Sequence, residues 1–251
     1  MLFSSPASSP GESETRAYYD DFAPSYELHR ASQEPDGYHA LVDDLEVSLV
    51  ERYGRGKDVL ECGSGTGLLL ERISRFARDA RGVDLSPGML EKARRRGLSV
   101  QEGSVTRLPF SDDSFDVVCS FKVLAHVPNV GRALSEMVRV TRPGGIVLAE
   151  LYNWLSLRRL AKRLGPAGRI SPSRRESDVY TRFDAPWTVP KLLPPGARTI
   201  GGRGVRIVTP TAAALRWPVI GSALRGLERL LADSPARVFG GFYIAVLEKT
   251  A

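Results

Sequence analysis

The densest chemistry in this sequence is carried by three glycines. In Val59-Leu60-Glu61-Cys62-Gly63-Ser64-Gly65-Thr66-Gly67-Leu68 they follow an apolar run directly and precede a helical pattern directly. Glycine in such a turn permits positive φ and lets a ligand lie against bare backbone. The spacing argues against phosphate recognition. A dinucleotide fingerprint needs its third glycine where Leu68 stands, and a P-loop needs Gly-Lys-Ser/Thr where the chain reads Leu68-Leu69-Leu70. A Gly-x-Gly-x-Gly loop with an acid, Glu61, on the preceding strand suits a nucleoside with no phosphate and a cationic tail. An isolated buried charge is costly, which favours a place for Glu61 beside an ammonium group.

A strand–helix alternation must position this loop. Strands are expected at Val59–Cys62, Ala80–Leu85, Leu98–Glu102, Phe115–Phe121 and Ile146–Leu151. Helices are expected at Leu68–Phe76, Pro87–Arg96 and Val130–Val140, the second with proline in its first turn. Apolar strands alternating with amphipathic helices predict an open, doubly wound α/β fold whose ligands sit beyond the carboxyl ends of the strands. Ahead of this core, the spacing predicts a short helix from Arg16 broken at Pro24 and a second over Tyr38–Tyr53. After Leu151 the pattern weakens. A helix is expected over Trp154–Leu164 with Trp154 in the core, and a loop over Gly165–Asp178. One helical turn is expected at Thr188–Leu193 and a strand at Val205–Val208. Mostly helical structure over Thr211–Leu231 and a closing strand at Phe242–Leu247 complete the reading. The division is a disordered Ser/Pro-rich tail (1–15) followed by one domain, 16–251. That domain comprises a helical cap (16–56), a core (57–151) and a region facing the substrate (152–251).

The chain has 251 residues, 42% apolar and 25% charged, with a formal charge of +6. This composition argues against a fibrous or wholly disordered chain. No apolar run reaches the ~18 to 20 residues needed to span a bilayer. The first residues lack the basic and apolar regions of a secretion signal, so a cytoplasmic location is expected. Cys62 and Cys119 lie in apolar strands, and no Cys/His cluster has zinc spacing, so no metal is expected. The basic excess is expected to serve solubility. The basic stretch at 158–175 is expected to be a solvated face, with peripheral membrane contact at most.

The span from Lys57 to Leu151 resembles the class I S-adenosylmethionine-dependent methyltransferases. The glycine loop is similar to that family's first motif, and Asp84, in Gly82-Val83-Asp84-Leu85-Ser86, lies 17 residues beyond Gly67. Gly103-Ser104-Val105 with Leu108-Pro109-Phe110 resembles the stretch flanking adenine. Phe115–Phe121 resembles the fourth strand, Leu124-Ala125-His126-Val127 the turn after it, and Arg142-Pro143-Gly144-Gly145 the loop before the fifth. The nearest branch is a small-molecule type that includes quinone-biosynthesis methyltransferases, whose members often begin with a segment like Tyr18-Tyr19-Asp20-Asp21-Phe22-Ala23-Pro24-Ser25-Tyr26.

The resemblance implies a Rossmann-like, mostly parallel seven-stranded sheet with its last strand antiparallel and an N-terminal helical lid. It implies S-adenosylmethionine as cofactor and S-adenosylhomocysteine as product. The expected cofactor contacts are Glu61, Gly63, Gly65, Gly67, Asp84, Leu85, Met89, Ser104, Val105, Phe121, Tyr18 and Tyr26. Asp84 is expected to accept both ribose hydroxyls, Met89 to cover adenine, and an aromatic to give cation–π support worth ~0.5 to 2 kcal/mol. Two departures stand out. Many relatives have an acid where Ser104 stands, and Lys122 would repel a sulfonium unless its ammonium faces away.

Methyl transfer to an O, N or C atom of a small quinone-like, lipid-like or secondary-metabolite acceptor is the expected reaction. His126 is the candidate base, against a reading in which it only packs or caps. Tyr19, Tyr152, Tyr180 and Arg182 are the candidate acceptor contacts. Two alternatives stay open: a nucleic-acid methyltransferase, and an inactive partner that binds cofactor. Nucleic acid is not the expected partner, because Ser120-Phe121-Lys122-Val123 lacks the Asn/Asp-Pro-Pro-aromatic motif. The residues give neither the acceptor nor the oligomeric state; a homodimer stays open.

Overall fold

The computed structural model describes residues 11–31, 37–156, 180–209 and 211–250, and the backbone of 169–171 and 174–175. The core elements are β1 (Asp58–Cys62), α3 (Leu68–Ile73), β2 (Asp79–Asp84), α4 (Pro87–Arg95), β3 (Ser99–Glu102), β4 (Phe115–Ser120), α5 (Val130–Val140) and β5 (Thr141–Tyr152). They are preceded by α1 (Glu12–Ala31) and α2 (Tyr38–Gly54). After them come a two-stranded ribbon, β6 (Arg169–Ser171) and β7 (Arg174–Arg175), then β8 (Ala197–Val205), α6 (Pro218–Leu231) and β9 (Phe242–Lys249).

The large sheet has seven strands in the order β3-β2-β1-β4-β5-β9-β8. Strands β1 to β5 pair in parallel, and β9 runs antiparallel to both β5 and β8. The chain winds outward through β1, β2 and β3, then restarts at β4 on the other side of β1. Loops leaving β1 and β4 therefore diverge, and a crevice opens at the carboxyl ends of these two strands.

The apolar runs read from the sequence are buried on both faces of the sheet. Val59, Val117, Cys119 and Leu148 pack with Leu41, Leu45 and Leu49 of α2. Leu60, Val118 and Val147 pack on the other face with Leu134 and Met137 of α5. Successive strand residues point to opposite faces, so neighbours such as Val59 and Leu60 fall into different layers. The helices that start near the crevice are capped by side chains. Ser86 Oγ accepts the Met89 N–H (3.1 Å), with Pro87 in the first turn of α4. Asn129 Oδ1 accepts the Arg132 N–H of α5 (3.1 Å).

Five sequence expectations differ from the structure. Helix α1 begins at Glu12, inside the segment expected as tail, and passes through Pro24 without ending. Tertiary anchors offset the hydrogen bond lost at proline. Asp20 Oδ1 accepts from the Gly88 N–H (3.0 Å), and Lys92 Nζ donates to the Pro24 carbonyl (3.2 Å). Trp154 is not core but 49% exposed, in a turn just after β5. The strand expected at 205–208 instead ends at Val205 and starts at Ala197. The 165–178 loop contains the β6–β7 ribbon. The helix expected at 154–164 lies largely outside the described residues, as do residues 1–10 and most of the basic 158–175 segment.

Candidate active site

The crevice holds a cavity of about 680 Å³, walled by the β1, β2, β3 and β4 loops and roofed by α1. Gly65 lines it with φ +53°, and a Cβ built there would meet nothing within 4 Å. The backbone is thus open to a ligand. Gly67 serves a different purpose. It is the left-handed N-cap of α3, and a Cβ there would come within 2.4 Å of Leu98 and 3.2 Å of Ala93. It lets α3 pack against the end of α4 and does not line the cavity.

Asp84 is the fixed acid of the site. Its Oδ2 accepts the Gly65 N–H (2.8 Å) and its Oδ1 accepts the Ser86 N–H (2.9 Å), which ties the β1 and β2 loops together. Burial raises its pKa above the ordinary aspartate value, and these backbone donors oppose the rise. Glu61 faces the same cavity from the end of β1 and is 3% exposed. Its Oε2 is buried without a hydrogen-bond partner, and burial holds its pKa well above the carboxylate range. A buried carboxyl oxygen left unsatisfied beside a cavity is the arrangement that a ligand ammonium group would complete.

Beside Glu61 lies a second charged group. Lys122, with φ +60°, turns its ammonium to Glu46 Oε2 (2.7 Å) and Asp43 Oδ1 (3.1 Å) of α2. Its backbone N–H donates to Glu150 Oε1 (2.9 Å). The ammonium is therefore neutralised by α2, as the sequence required if a sulfonium is to sit nearby.

His126 lines the cavity in the short turn after β4, and its Nδ1 lies 2.8 Å from the Tyr180 carbonyl. That acceptor demands a proton on Nδ1, so in the neutral ring Nε2 carries the lone pair. Its ring stands edge-on to Tyr152, at 5.5 Å between centroids. Tyr19 enters the cavity from α1, and burial together with neighbouring Tyr152, Tyr18 and Asp84 keeps its phenol neutral.

Of the expected site residues, Glu61, Gly63, Gly65, Asp84, Leu85, Met89, Ser104, Val105, Phe121, Tyr19, Tyr26 and His126 line the cavity. Tyr18, Gly67, Tyr152, Tyr180 and Arg182 are not among the lining residues. Tyr18 stacks edge-on to Tyr19 at 5.0 Å. Arg182 is engaged by both oxygens of Asp184 (2.7 and 2.8 Å) and its N–H donates to Ala125 carbonyl, so it buttresses the His126 turn. The sequence reading missed Glu12. Its Oε1 accepts from Ser104 Oγ (2.5 Å) and Thr106 Oγ1 (2.7 Å), which ties the start of α1 to the cavity wall after β3. Its place inside the expected tail gave no signal for that contact.

The sheet order, the crevice at its switch point and the acid-flanked glycine loop define a Rossmann-like fold of the kind found in methyltransferases. Comparison with known proteins agrees. Residues 60–149 match the family described as a methyltransferase domain. An uncharacterized methyltransferase of Mycobacterium sp. (strain JLS) is 37% identical over 156 residues, covering 59% of this chain and 58% of that protein. A demethylmenaquinone methyltransferase of Renibacterium salmoninarum is 35% identical over 150 residues, 55% of this chain and 58% of that protein. The chain thus spans a little over half the length of these curated relatives. A crystal structure from Thermotoga maritima, described as an S-adenosylmethionine-dependent methyltransferase and possible histamine N-methyltransferase, superposes with a TM-score of 0.66. It is 20% identical and covers 94% of this chain and 99% of its own. Residues 60–149 thus match a methyltransferase domain, and the described fold is that of the Rossmann-like methyltransferases.

Proposed function

We propose that this chain transfers a methyl group from S-adenosylmethionine to a small, largely apolar acceptor. The observation that carries the reading is the buried, unpartnered Glu61 oxygen facing a cavity whose other wall presents the anchored Asp84 carboxylate. One acid would hold the ammonium of the cofactor's amino-acid tail, and the other its ribose hydroxyls. The open backbone at Gly65 lies between them. When bound, S-adenosylmethionine supplies an electrophilic methyl group and leaves as the uncharged thioether.

The protein's own contribution is alignment and exclusion of water. Holding both reactants in line replaces much of the entropy cost of a bimolecular encounter. The roof of α1 would keep water from the reacting carbon. His126, its tautomer set by the Tyr180 carbonyl, would remove a proton from an acceptor hydroxyl through Nε2 as that oxygen attacks. Aromatic and apolar neighbours, Tyr19, Phe121, Val123 and Val127, support a flat or oily acceptor. The kinship with a demethylmenaquinone methyltransferase makes quinol-like rings the first compounds to try.

Titration calorimetry with S-adenosylhomocysteine tests the cofactor half, and labelled methyl transfer to quinols, phenols and amines tests the acceptor half. A folded protein that ignores the nucleoside at millimolar concentration would refute the proposal. Transfer confined to tRNA or DNA would replace the small-molecule acceptor with nucleic acid.

A further inference from the structure

The proposed ribose and ammonium contacts fix where the rest of the nucleoside must go. Asp84 ends β2 and Glu61 lies on β1, and the sheet runs β3-β2-β1-β4 on this side. An amino-acid tail held at Glu61 therefore extends toward β1 and β4. The base, on the other side of the ribose, lies over the end of β3. There the cavity is lined by Gly103, Ser104, Val105 and Thr106 and, from the lid helix α1, by Glu12 and Thr15.

The polar groups at this end form one triangle. Glu12 Oε1 lies 2.5 Å from Ser104 Oγ and 2.7 Å from Thr106 Oγ1, and the two hydroxyl oxygens are 2.8 Å apart. Two hydroxyls bring two protons, and an ionised carboxylate brings none. The triangle therefore spends its donors internally and keeps acceptor capacity for a ligand. Glu12 Oε2 accepts no hydrogen bond among the described residues. The Ser104 and Thr106 hydroxyls, helped by the nearby Arg107 charge, outweigh burial and hold the Glu12 carboxyl below the ordinary glutamate value, so it is ionised. Its position is fixed by a second tie one turn along α1, where Arg16 pairs with Glu102 at the end of β3 (2.8 Å).

Such an edge discriminates among purines. An exocyclic amino group donates, and Glu12 Oε2 is its complement. A carbonyl oxygen at the same ring position would face a negative charge with no proton between them. Hydrogen bonds to charged groups are the stronger kind, and a polar group left without one is costly.

We propose that Glu12, carried by the lid helix, reads the base of the bound nucleoside by accepting a hydrogen bond from its exocyclic amino group. The inference rests on the cofactor reading given above. It makes α1 part of the recognition surface, held down harder by an adenosyl ligand than by one whose base lacks the amino group.

The test is titration calorimetry of the full chain with S-adenosylhomocysteine and with S-inosylhomocysteine, in which a carbonyl replaces the amino group. Ribose, thioether and tail are common to both, so the ratio of affinities isolates the base. The wild type should bind the adenosyl compound at least about tenfold tighter. In Glu12→Gln the amide oxygen can serve Ser104 and Thr106, which turns the NH2 toward the base, and the preference should vanish or invert. Glu12→Ala should lose the preference too, with both ligands weakened as α1 loosens. A Glu12 that only ties down α1 predicts equal weakening of both ligands and an unchanged ratio, and that result would overturn the proposal. Equal binding of the two by the wild type would do the same, and a wild-type preference for the inosyl compound would assign the base contact to Arg107 instead. Folded protein that binds neither nucleoside would refute the cofactor reading and this inference with it.

Discussion

Asp20, on the lid helix, accepts a hydrogen bond from Ser86 Oγ at 2.6 Å, and the same oxygen accepts the Gly88 N–H at 3.0 Å. The lid is thus latched to the N-terminus of α4, immediately after the strand end that carries Asp84. A carboxylate at a helix N-terminus also meets the positive end of the helix dipole. Further ties hold α1, among them Arg16 to Glu102 (2.8 Å), Glu12 to Ser104 and Thr106, Glu27 to Arg96 (2.9 Å) and the Pro24 carbonyl to Lys92. The Asp20 latch is distinct from the groups proposed to touch the cofactor.

Loosening the latch should therefore weaken cofactor retention without emptying the site. Asp20→Ala removes hydrogen bonds to a charged group, worth ~1.5 to 3 kcal/mol each in full and less here because lid opening is local. The expectation is a rise of about tenfold in the dissociation constant for S-adenosylhomocysteine, with only a small fall in melting temperature. Faster hydrogen exchange confined to 12–31 would accompany it. Unchanged affinity would show that α1 is not a lid.

Asp84→Ala should act more strongly, because it removes both the proposed ribose acceptor and the anchor of the Gly65 N–H. A loss of about a hundredfold or more in cofactor affinity is expected. Calorimetry across pH gives a second readout. Burial raises the Asp84 pKa, so protonation on acidification begins above the ordinary aspartate range. Wild-type affinity should decline as pH falls through that region, while the weak residual binding of Asp84→Asn should not follow the same curve.

The Lys122 cluster gives a stability prediction. Glu46 is fully buried, and Lys122 bridges it to Asp43 while the backbone N–H of Lys122 holds Glu150. Removing one partner of a buried pair leaves an uncompensated charge and costs about 3 to 5 kcal/mol. Lys122→Met should therefore lower the denaturation midpoint sharply, and a Glu46→Gln/Lys122→Met pair should recover much of the loss. The sign of the pH dependence follows from burial. Folded-state pKa values of Glu46, Glu61 and Glu150 are raised, so the native state holds these protons more tightly than the unfolded chain. Their contribution is fully present below the unfolded glutamate value and is lost as pH rises through the raised values. Chemical denaturation of the wild type and of Glu150→Gln, compared between pH 4 and 8 (an interval spanning, roughly, the glutamate reference value and neutrality), should show a shallower decline in the variant.

Legibility in the sequence tracked how local each cause is. The β1 to β5 alternation and the Gly-x-Gly-x-Gly turn depend on contiguous residues, and the structure places them with ends shifted by a few positions. Strand β8 was missed because Ala197-Arg-Thr-Ile-Gly-Gly-Arg-Gly-Val205 carries three glycines and two arginines. Pairing with β9 overrides that poor strand propensity at the sheet edge. Helix α1 crosses Pro24 because Asp20 accepts from Gly88 and Lys92 donates to the Pro24 carbonyl, two contacts each 68 residues apart in the chain. Trp154 looked like core because the chain is apolar around it, but the β5 register ends at Tyr152 and the turn carries Trp154 outward. In the site, Glu61 was legible from its place on the strand before the glycine loop, and Asp84 from the family resemblance. Glu12 and the α2 carboxylates around Lys122 were not, since only the folded chain brings them together.

His126 offers the sharpest separation of chemistry from packing. If Nε2 removes the acceptor proton, His126→Ala should lower kcat by about a hundredfold to ten-thousandfold while leaving the dissociation constant for S-adenosylhomocysteine unchanged. The Tyr180 carbonyl fixes the tautomer from outside the cavity, so His126→Asn, which keeps a donor toward that carbonyl but has no basic nitrogen, should be as slow as the alanine variant. A purely structural histidine predicts the opposite ranking. Asparagine would then retain the turn and most of the rate, and alanine would lose stability, with the 182–184 segment loosening because the Arg182 N–H bonds to the adjacent Ala125 carbonyl. Steady-state kinetics on the first acceptor found to turn over, read beside the melting temperatures of both variants, decides between the two.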